Sequence, residues 1–253
     1  MTQDPVVVVL PDARLLAETT ASRLLLAIVD AQSIASPVHV VLTGGTVGIA
    51  TLGAAGHSPL ARAVDWSGVH VWWGDERFLP EGSADRNETQ ARAALLDHVP
   101  LPQSNVHPIP GPEQAGSPEA AAADYADELA RYAEEGAATP QFAVLLLGVG
   151  PDGHVASLFP GLPGVSVRDR AVIGVEDSPK PPPQRVSLTV PAIGAARQVW
   201  LVAAGPEKAA AIAKSLAGAP ADVVPAGAVG GRDKTLWLLD AAAAGVPGAA
   251  RAR

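Results

Sequence analysis

VLLLGVGPDGHVASLFPG, residues Val144–Gly161, sets an apolar run against a glycine-rich loop that carries an acid and a histidine. Four consecutive large apolar residues with no polar alternation read as a strand buried on both faces, which is the signature of a parallel sheet covered by helices. The run ends at Gly148, and Asp152, Gly153 and His154 follow within a few positions. In an open parallel sheet, ligands bind beyond the carboxyl ends of the strands. The stretch therefore predicts both a fold class and the end of the sheet at which chemistry is to be sought.

Working outward, short β-branched runs alternate with Ala/Leu-rich stretches. Strands are expected at Val6–Leu10, His39–Thr43, Val69–Trp73, Phe142–Leu147, Ala171–Val175, Arg185–Val190, Gln198–Ala203 and Leu236–Leu239, with an extended piece near Asn105–Ile109. Helices are expected from Asp12, as cap, to about Ala35, and over Val47–Ala55, Asp85–His98, Glu119–Glu135 and Pro206–Leu216. Strands alternating with helices imply an α/β fold: an open, mostly parallel, Rossmann-like sheet with helices on both faces and a few added strands. With no internal repeat, residues 1–253 read as one domain, and SPKPPPQ (Ser178–Gln184) reads as a surface loop, not a linker. The Ala/Gly-rich tail from about residue 241 is expected to fray.

Composition narrows the function. The 18 Lys and Arg against 26 Asp and Glu give a net charge of −8, which argues against a nucleic-acid or anionic membrane partner. A local cluster of a few cations still suits a small anionic ligand. The absence of cysteine removes thiolate metal sites and a cysteine nucleophile. MTQDPVVVVLPDA at the start has an acid before a short apolar run, so it reads as neither a signal peptide nor a spanning helix, and a cytoplasmic protein is expected.

Four places carry polar chemistry just after an expected strand. Thr43-Gly44-Gly45-Thr46 turns into a helix; its N–H groups and hydroxyls suit a phosphate, or the glycines simply make a tight turn capped by Thr46. Asp75-Glu76-Arg77 follows a strand, Arg77 suiting bidentate phosphate recognition and Asp75 suiting a hydroxyl or histidine, against the plainer reading of a solvated turn. Asp152-Gly153-His154 offers an imidazole that can accept a proton near neutrality, with a carboxylate spaced to orient it; Pro-Asp-Gly is equally a turn sequence. Lys208, one of four lysines, sits in a helical first turn, where a cation is unfavourable unless an anion offsets it. Among six histidines, His39 and His70 lie inside strands and read as structural. His57, His98 and His107 fall in loop or helix-end contexts, and His154 is the best candidate base.

Together TGGT, DER, GVGPDGHVASLFP, RVSLTVPAI and GPEK, in this order over roughly residues 6–240, resemble the 6-phosphogluconolactonase family, which shares a superfamily with the glucosamine-6-phosphate deaminases. The Asp-Gly-His segment with Ser-Leu-Phe-Pro is the specific part. The resemblance implies hydrolysis of 6-phospho-D-glucono-1,5-lactone in the oxidative pentose phosphate pathway with neither metal nor organic cofactor. It implies His154 as general base, Asp152 and Asp75 positioning the imidazole or the sugar hydroxyls, and Thr43, Gly44, Gly45, Thr46, Arg77, Arg185 and Lys208 on the phosphate. Backbone N–H groups of Gly148–Gly153 are the expected oxyanion donors.

Two positions depart from the family pattern. Val47-Gly48 follows Thr46 where many relatives have proline, and Asp85-Arg86-Asn87 stands where they often have Asp-Ser-Asn, so that Arg86 is either a further phosphate contact or exposed. The deaminase alternative expects a glutamate before the proline; here Phe159 precedes Pro160, removing an acid/base partner that sugar ring opening needs. A non-catalytic sugar-phosphate-binding domain is the other alternative; such domains usually come with a basic DNA-binding module, and no basic segment is seen in this sequence, so that reading is expected to be the weaker one.

Overall fold

A computed structural model describes residues 4–246. Six parallel strands form the main sheet in the order β1-β9-β8-β5-β2-β3, and three antiparallel strands form a second sheet in the order β4-β7-β6. The main-sheet strands are β1 (Val6–Leu10), β2 (Val38–Leu42), β3 (Val69–Trp73), β5 (Phe142–Gly148), β8 (Gln198–Ala203) and β9 (Lys234–Asp240). The smaller sheet contains β4 (Asp75–Arg77), β6 (Val172–Val175) and β7 (Arg185–Leu188). Helices α1 (Ala13–Gln32), α2 (Thr46–His57), α3 (Asn87–Ala94), α4 (Pro118–Arg131), α5 (Val190–Gly194) and α6 (Ala209–Leu216) complete the chain.

The open, mostly parallel sheet is the one expected. In β5, neighbouring residues point to opposite faces, yet Val144, Leu145, Leu146 and Leu147 are all buried, so the strand is covered on both sides. Each such side chain contributes roughly 1.5–3 kcal/mol of burial. β1, at the sheet edge, leaves Val6, Val7 and Val9 partly in water. The buried apolar residues of both sheets form one continuous cluster.

Several boundaries move for identifiable reasons. α1 is capped by Asp12 as expected, the carboxylate accepting from Leu15 N at 2.8 Å, but it ends at Gln32, short of Ala35. The helix expected from Asp85 begins at Asn87 and breaks after Ala94 into a short 3-10 turn, Leu96–His98. Asn105–Ile109 is no strand: it makes an isolated bridge, Val71 to Val106, after a 3-10 turn. β7 stops at Leu188 and Val190–Gly194 coils into α5, while Pro206–Lys208 is a 3-10 turn before α6. Asp75–Arg77 is a strand, β4, paired with β7, and not the solvated turn that the plainer reading of this triplet offers. Of the tail expected to fray, residues 241–246 form turns, with Ala243 N donating to Asp240 at 2.7 Å and Ala243 buried. The rest of that tail lies outside the described residues.

Chain order runs outward from β2 to β3 on one side, and from β5 through β8 to β9 on the other. The direction reverses between β2 and β5. Their carboxyl ends flank the crevice where an open α/β sheet accommodates a ligand.

Candidate active site

The loops after β2 and β5 meet at this reversal. Gly148 N donates to Thr43 Oγ1 at 3.2 Å, tying the two strand ends together. Between them opens a cleft of about 550 Å³ lined by Thr43–Thr46, Asp75, Arg77, His154, Arg185 and Lys208, nine of the ten predicted site residues, Asp152 being the tenth. Asp152 adjoins the cleft through its contact with His154.

The histidine loop owes its shape to close backbone packing. Gly150 N donates to His154 O and Gly153 N to Gly150 O, each at 2.9 Å, while Gly153 adopts φ +82°. A Cβ on Gly150 would lie 2.0 Å from His154 Nδ1, so only glycine lets the ring occupy this place. His154 Nδ1 is 2.5 Å from Asp152 Oδ1, and the ring packs on Phe159 with centroids 4.5 Å apart. Burial pushes the Asp152 carboxyl up, but the His154 hydrogen bond and the charges of His154 and Lys180 hold it well below the usual carboxylate range. An ionised Asp152 assigns the ring proton to Nδ1 and leaves the Nε2 lone pair without a partner among the described residues. The expected backbone oxyanion donors are a different matter: the N–H groups of Gly148, Gly150 and Gly153 are already engaged within the protein.

Each residue of the Asp-Glu-Arg triplet has its own direction, because strand residues alternate sides. Asp75 and Arg77 line the cleft; Glu76 points away and is buried. Asp75 Oδ2 accepts from Ser157 Oγ at 2.8 Å, so its carboxylate is held by a serine and not by His154. Glu76 accepts from Asn87 N (2.7 Å) and Glu88 N (2.9 Å), capping α3 from a distant strand. Burial pushes its carboxyl up to about 7 against the opposing pull of Arg86 and these backbone donors.

Arg77 Nη1 donates to Asn87 Oδ1 (2.6 Å) and Asp85 O (2.9 Å). Asn87 Nδ2 in turn donates to Asp75 O. A Cβ on Gly44 would sit 1.8 Å from Asn87 Oδ1, which explains the first glycine of the pair by this close approach. The second, Gly45, has φ +79° and precedes α2 without any side-chain cap, so the helix's first N–H groups remain free at the cleft. Thr46 is the first residue of α2 and does not cap it.

Arg77 and Arg185 are register partners across β4 and β7, a juxtaposition of like charges that destabilises a bare sheet. Burial lowers the Arg185 pKa below its ordinary value, with Asp75 opposing; its Nε and Nη2 hold carbonyls of the 180–182 loop at 3.1–3.2 Å. Lys208, at the cap of α6, donates to Val149 O at 2.6 Å, and burial lowers its pKa too.

Arg86 is neither exposed nor a cleft residue. It is 2% exposed and donates to Leu79 O and Ile109 O, bracing the chain before α3. Sequence reasoning missed Asn87, Ser157 and Lys180. Asn87 follows the DER triplet at a helix start, a recognisable position for a polar residue that serves a site; Ser157 lies in the Ser-Leu-Phe-Pro segment that marks the family, whereas Lys180 carries no local signal.

A family-wide sequence profile described as glucosamine-6-phosphate isomerases/6-phosphogluconolactonase matches residues 11–237. A Streptomyces coelicolor 6-phosphogluconolactonase is 55% identical over 96% of this chain and 95% of its own. A Mycobacterium tuberculosis 6-phosphogluconolactonase is 46% identical, covering 93% and 96%. The solved 6-phosphogluconolactonase of Trypanosoma brucei superposes with a TM-score of 0.80 at 28% identity, over 97% of this chain and 99% of that one.

Proposed function

This chain belongs to the glucosamine-6-phosphate isomerase/6-phosphogluconolactonase family, and from that premise we propose that it hydrolyses 6-phospho-D-glucono-1,5-lactone to 6-phospho-D-gluconate with His154 as general base. The observation that carries the reading is the His154–Asp152 pair with Nε2 free, set in a cleft lined by cations. The extensive identity to lactonases supports the activity, and the continuous core supports treating the chain as one domain.

Asp152 accepts from Nδ1–H and fixes the tautomer, so Nε2 is left as the acceptor of a ring that lines the cleft. Water held at Nε2 gives up a proton as its oxygen bonds to the lactone carbonyl carbon. The ring C–O bond then breaks, and the departing ring oxygen takes the proton back from His154. The product carboxylic acid ionises in solution.

The phosphate end is read at the uncapped start of α2. There Gly44, Gly45 and Thr46 offer N–H groups and a hydroxyl, and the helix dipole favours an anion. Arg77, Arg185 and Lys208 converge on the same cleft, and an anion between the two register-paired arginines offsets their mutual repulsion. Clamping a phosphate remote from the carbonyl holds the ring in reactive geometry. Asp75, locked by Ser157, is placed to accept from a sugar hydroxyl. Thr43 braces the loop through Gly148.

The test is lactone turnover by the protein, with substrate generated in situ and spontaneous hydrolysis subtracted, beside a glucosamine-6-phosphate deamination assay. Fast hydrolysis without deamination is expected. Deamination would overturn the assignment, and binding of sugar phosphate without either reaction would favour a sensor.

A further inference from the structure

The loop of residues 178–184 has no part in the steps above, yet it carries a cation to the base. Lys180 Nζ lies 3.2 Å from His154 Nδ1 and 3.6 Å from Asp152 Oδ1. A lysine on a surface loop ordinarily leaves its ammonium in water on a flexible stem. Here the backbone beneath it is held. Ser178 N donates to Pro183 O, and Ser178 Oγ both donates to Lys180 O and accepts from Lys180 N. Arg185 spends Nε on Pro182 O and Nη2 on the carbonyls of Lys180 and Pro181. Withdrawing a guanidinium from water is costly, and this one, 7% exposed, is committed to three carbonyls of one loop.

Nδ1 has one proton to give, and Asp152 takes it at 2.5 Å. The ammonium therefore acts on the pair through charge: it attracts the carboxylate and repels any second proton on the ring. The other charged groups around the pair are engaged elsewhere. Lys208 is committed to Val149 O with Glu207 beside it, Asp75 is bound to Ser157, and Arg77 is bound to Asn87. The face of the ring is covered by the uncharged Phe159.

We propose that Lys180 is a positioning residue for this reaction: its ammonium, placed by the Arg185-braced loop, keeps Asp152 ionised and His154 free of a second proton, so that the base stays available in mildly acidic solution. The proposal rests on the reading of His154 as the base.

The pH profile of kcat/KM, corrected for spontaneous hydrolysis, tests it in the wild type, Lys180→Met and Lys180→Arg, with the His154 ring titrated by NMR in each. Removing a cation this close is expected to move both the acid limb and the NMR midpoint of Lys180→Met upward by about one pH unit. The plateau rate should be largely kept, and Lys180→Arg should stay near the wild-type profile. A uniform loss of rate with the limb unmoved, or a raised KM as the sole change, would overturn the proposal in favour of a structural or substrate-contacting lysine. An NMR midpoint that shifts while the rate limb stays in place would defeat it differently, by showing that His154 is not the group whose ionisation controls turnover.

Discussion

Among the described residues two histidine–carboxylate pairs stand out, and only one is built to react. His154 and Asp152 stand at the carboxyl end of β5; His107 and Glu128 meet beside β3 and α4, also in short contact, 2.9 Å. The difference lies at the second ring nitrogen. His107 Nε2 is spent on His70 Nδ1 at 2.8 Å, and its ring is stacked on Trp72 at 3.9 Å. His154 keeps Nε2 free and faces a cleft lined with cations. A carboxylate beside an imidazole is thus no site in itself. What makes one is an unspent nitrogen with access to a substrate.

That contrast orders the expected effects of substitution. His154→Ala should lower kcat/KM for the lactone by about 10²–10⁴-fold, the range for loss of a general base, whereas His107→Ala should leave turnover within a few-fold of wild type. An equal loss in both variants would erase the distinction. Asp152→Asn should also be costly, up to about 10⁴-fold, by allowing the wrong tautomer while leaving the ring in place; initial-rate kinetics at saturating substrate will read this as a change in kcat.

Gly44→Ala sharpens the comparison at the phosphate end. The added methyl displaces Asn87 and frees Arg77 from its partner, so KM should rise by about tenfold with a smaller change in kcat, the pattern of lost uniform binding. An unchanged KM would detach this turn from substrate binding.

The histidine cluster of His39, His70 and His107 around the inert pair predicts a smaller, stability-only effect. Burial, with the neighbouring His70 and His107, lowers the His39 pKa to about 4; burial also lowers those of His70 and His107. Unfolded imidazoles bind protons below about pH 6.5, whereas these folded ones resist. The unfolded state therefore takes up more protons in that window. Stability should be full above about pH 6.5 and fall as pH drops toward about 4, by roughly 2–3 kcal/mol for His39. Urea unfolding across that range measures it, and His39→Gln should flatten the fall. A variant with undiminished pH dependence would show that other groups govern acid unfolding.

The sequence made one pair more legible than the other. A glycine-rich loop after an apolar run announces His154 and Asp152, because the turn, the acid and the base are all local. His39 and His70 read as strand residues and lie in β2 and β3, but His107 fell to a loop context, since its burial depends on Trp72 and Glu128 brought from elsewhere. The bounds of β3 and β8 were readable from their β-branched and aromatic runs. β4 was not, because three charged residues become a strand only by pairing with β7 more than a hundred positions away. Arg86 and Lys180 fail the same way: one is buried by carbonyls of distant loops, and the other reaches the base from a proline-rich stretch that looked like spare surface.

The most direct test of the central claim is a structure of the protein with bound 6-phosphogluconate, the product. The account predicts the phosphate at the start of α2 between Arg77, Arg185 and Lys208, and a carboxylate oxygen within about 3 Å of His154 Nε2, the reach of a hydrogen bond. A product bound the other way round, or with its carboxylate remote from His154, would contradict it.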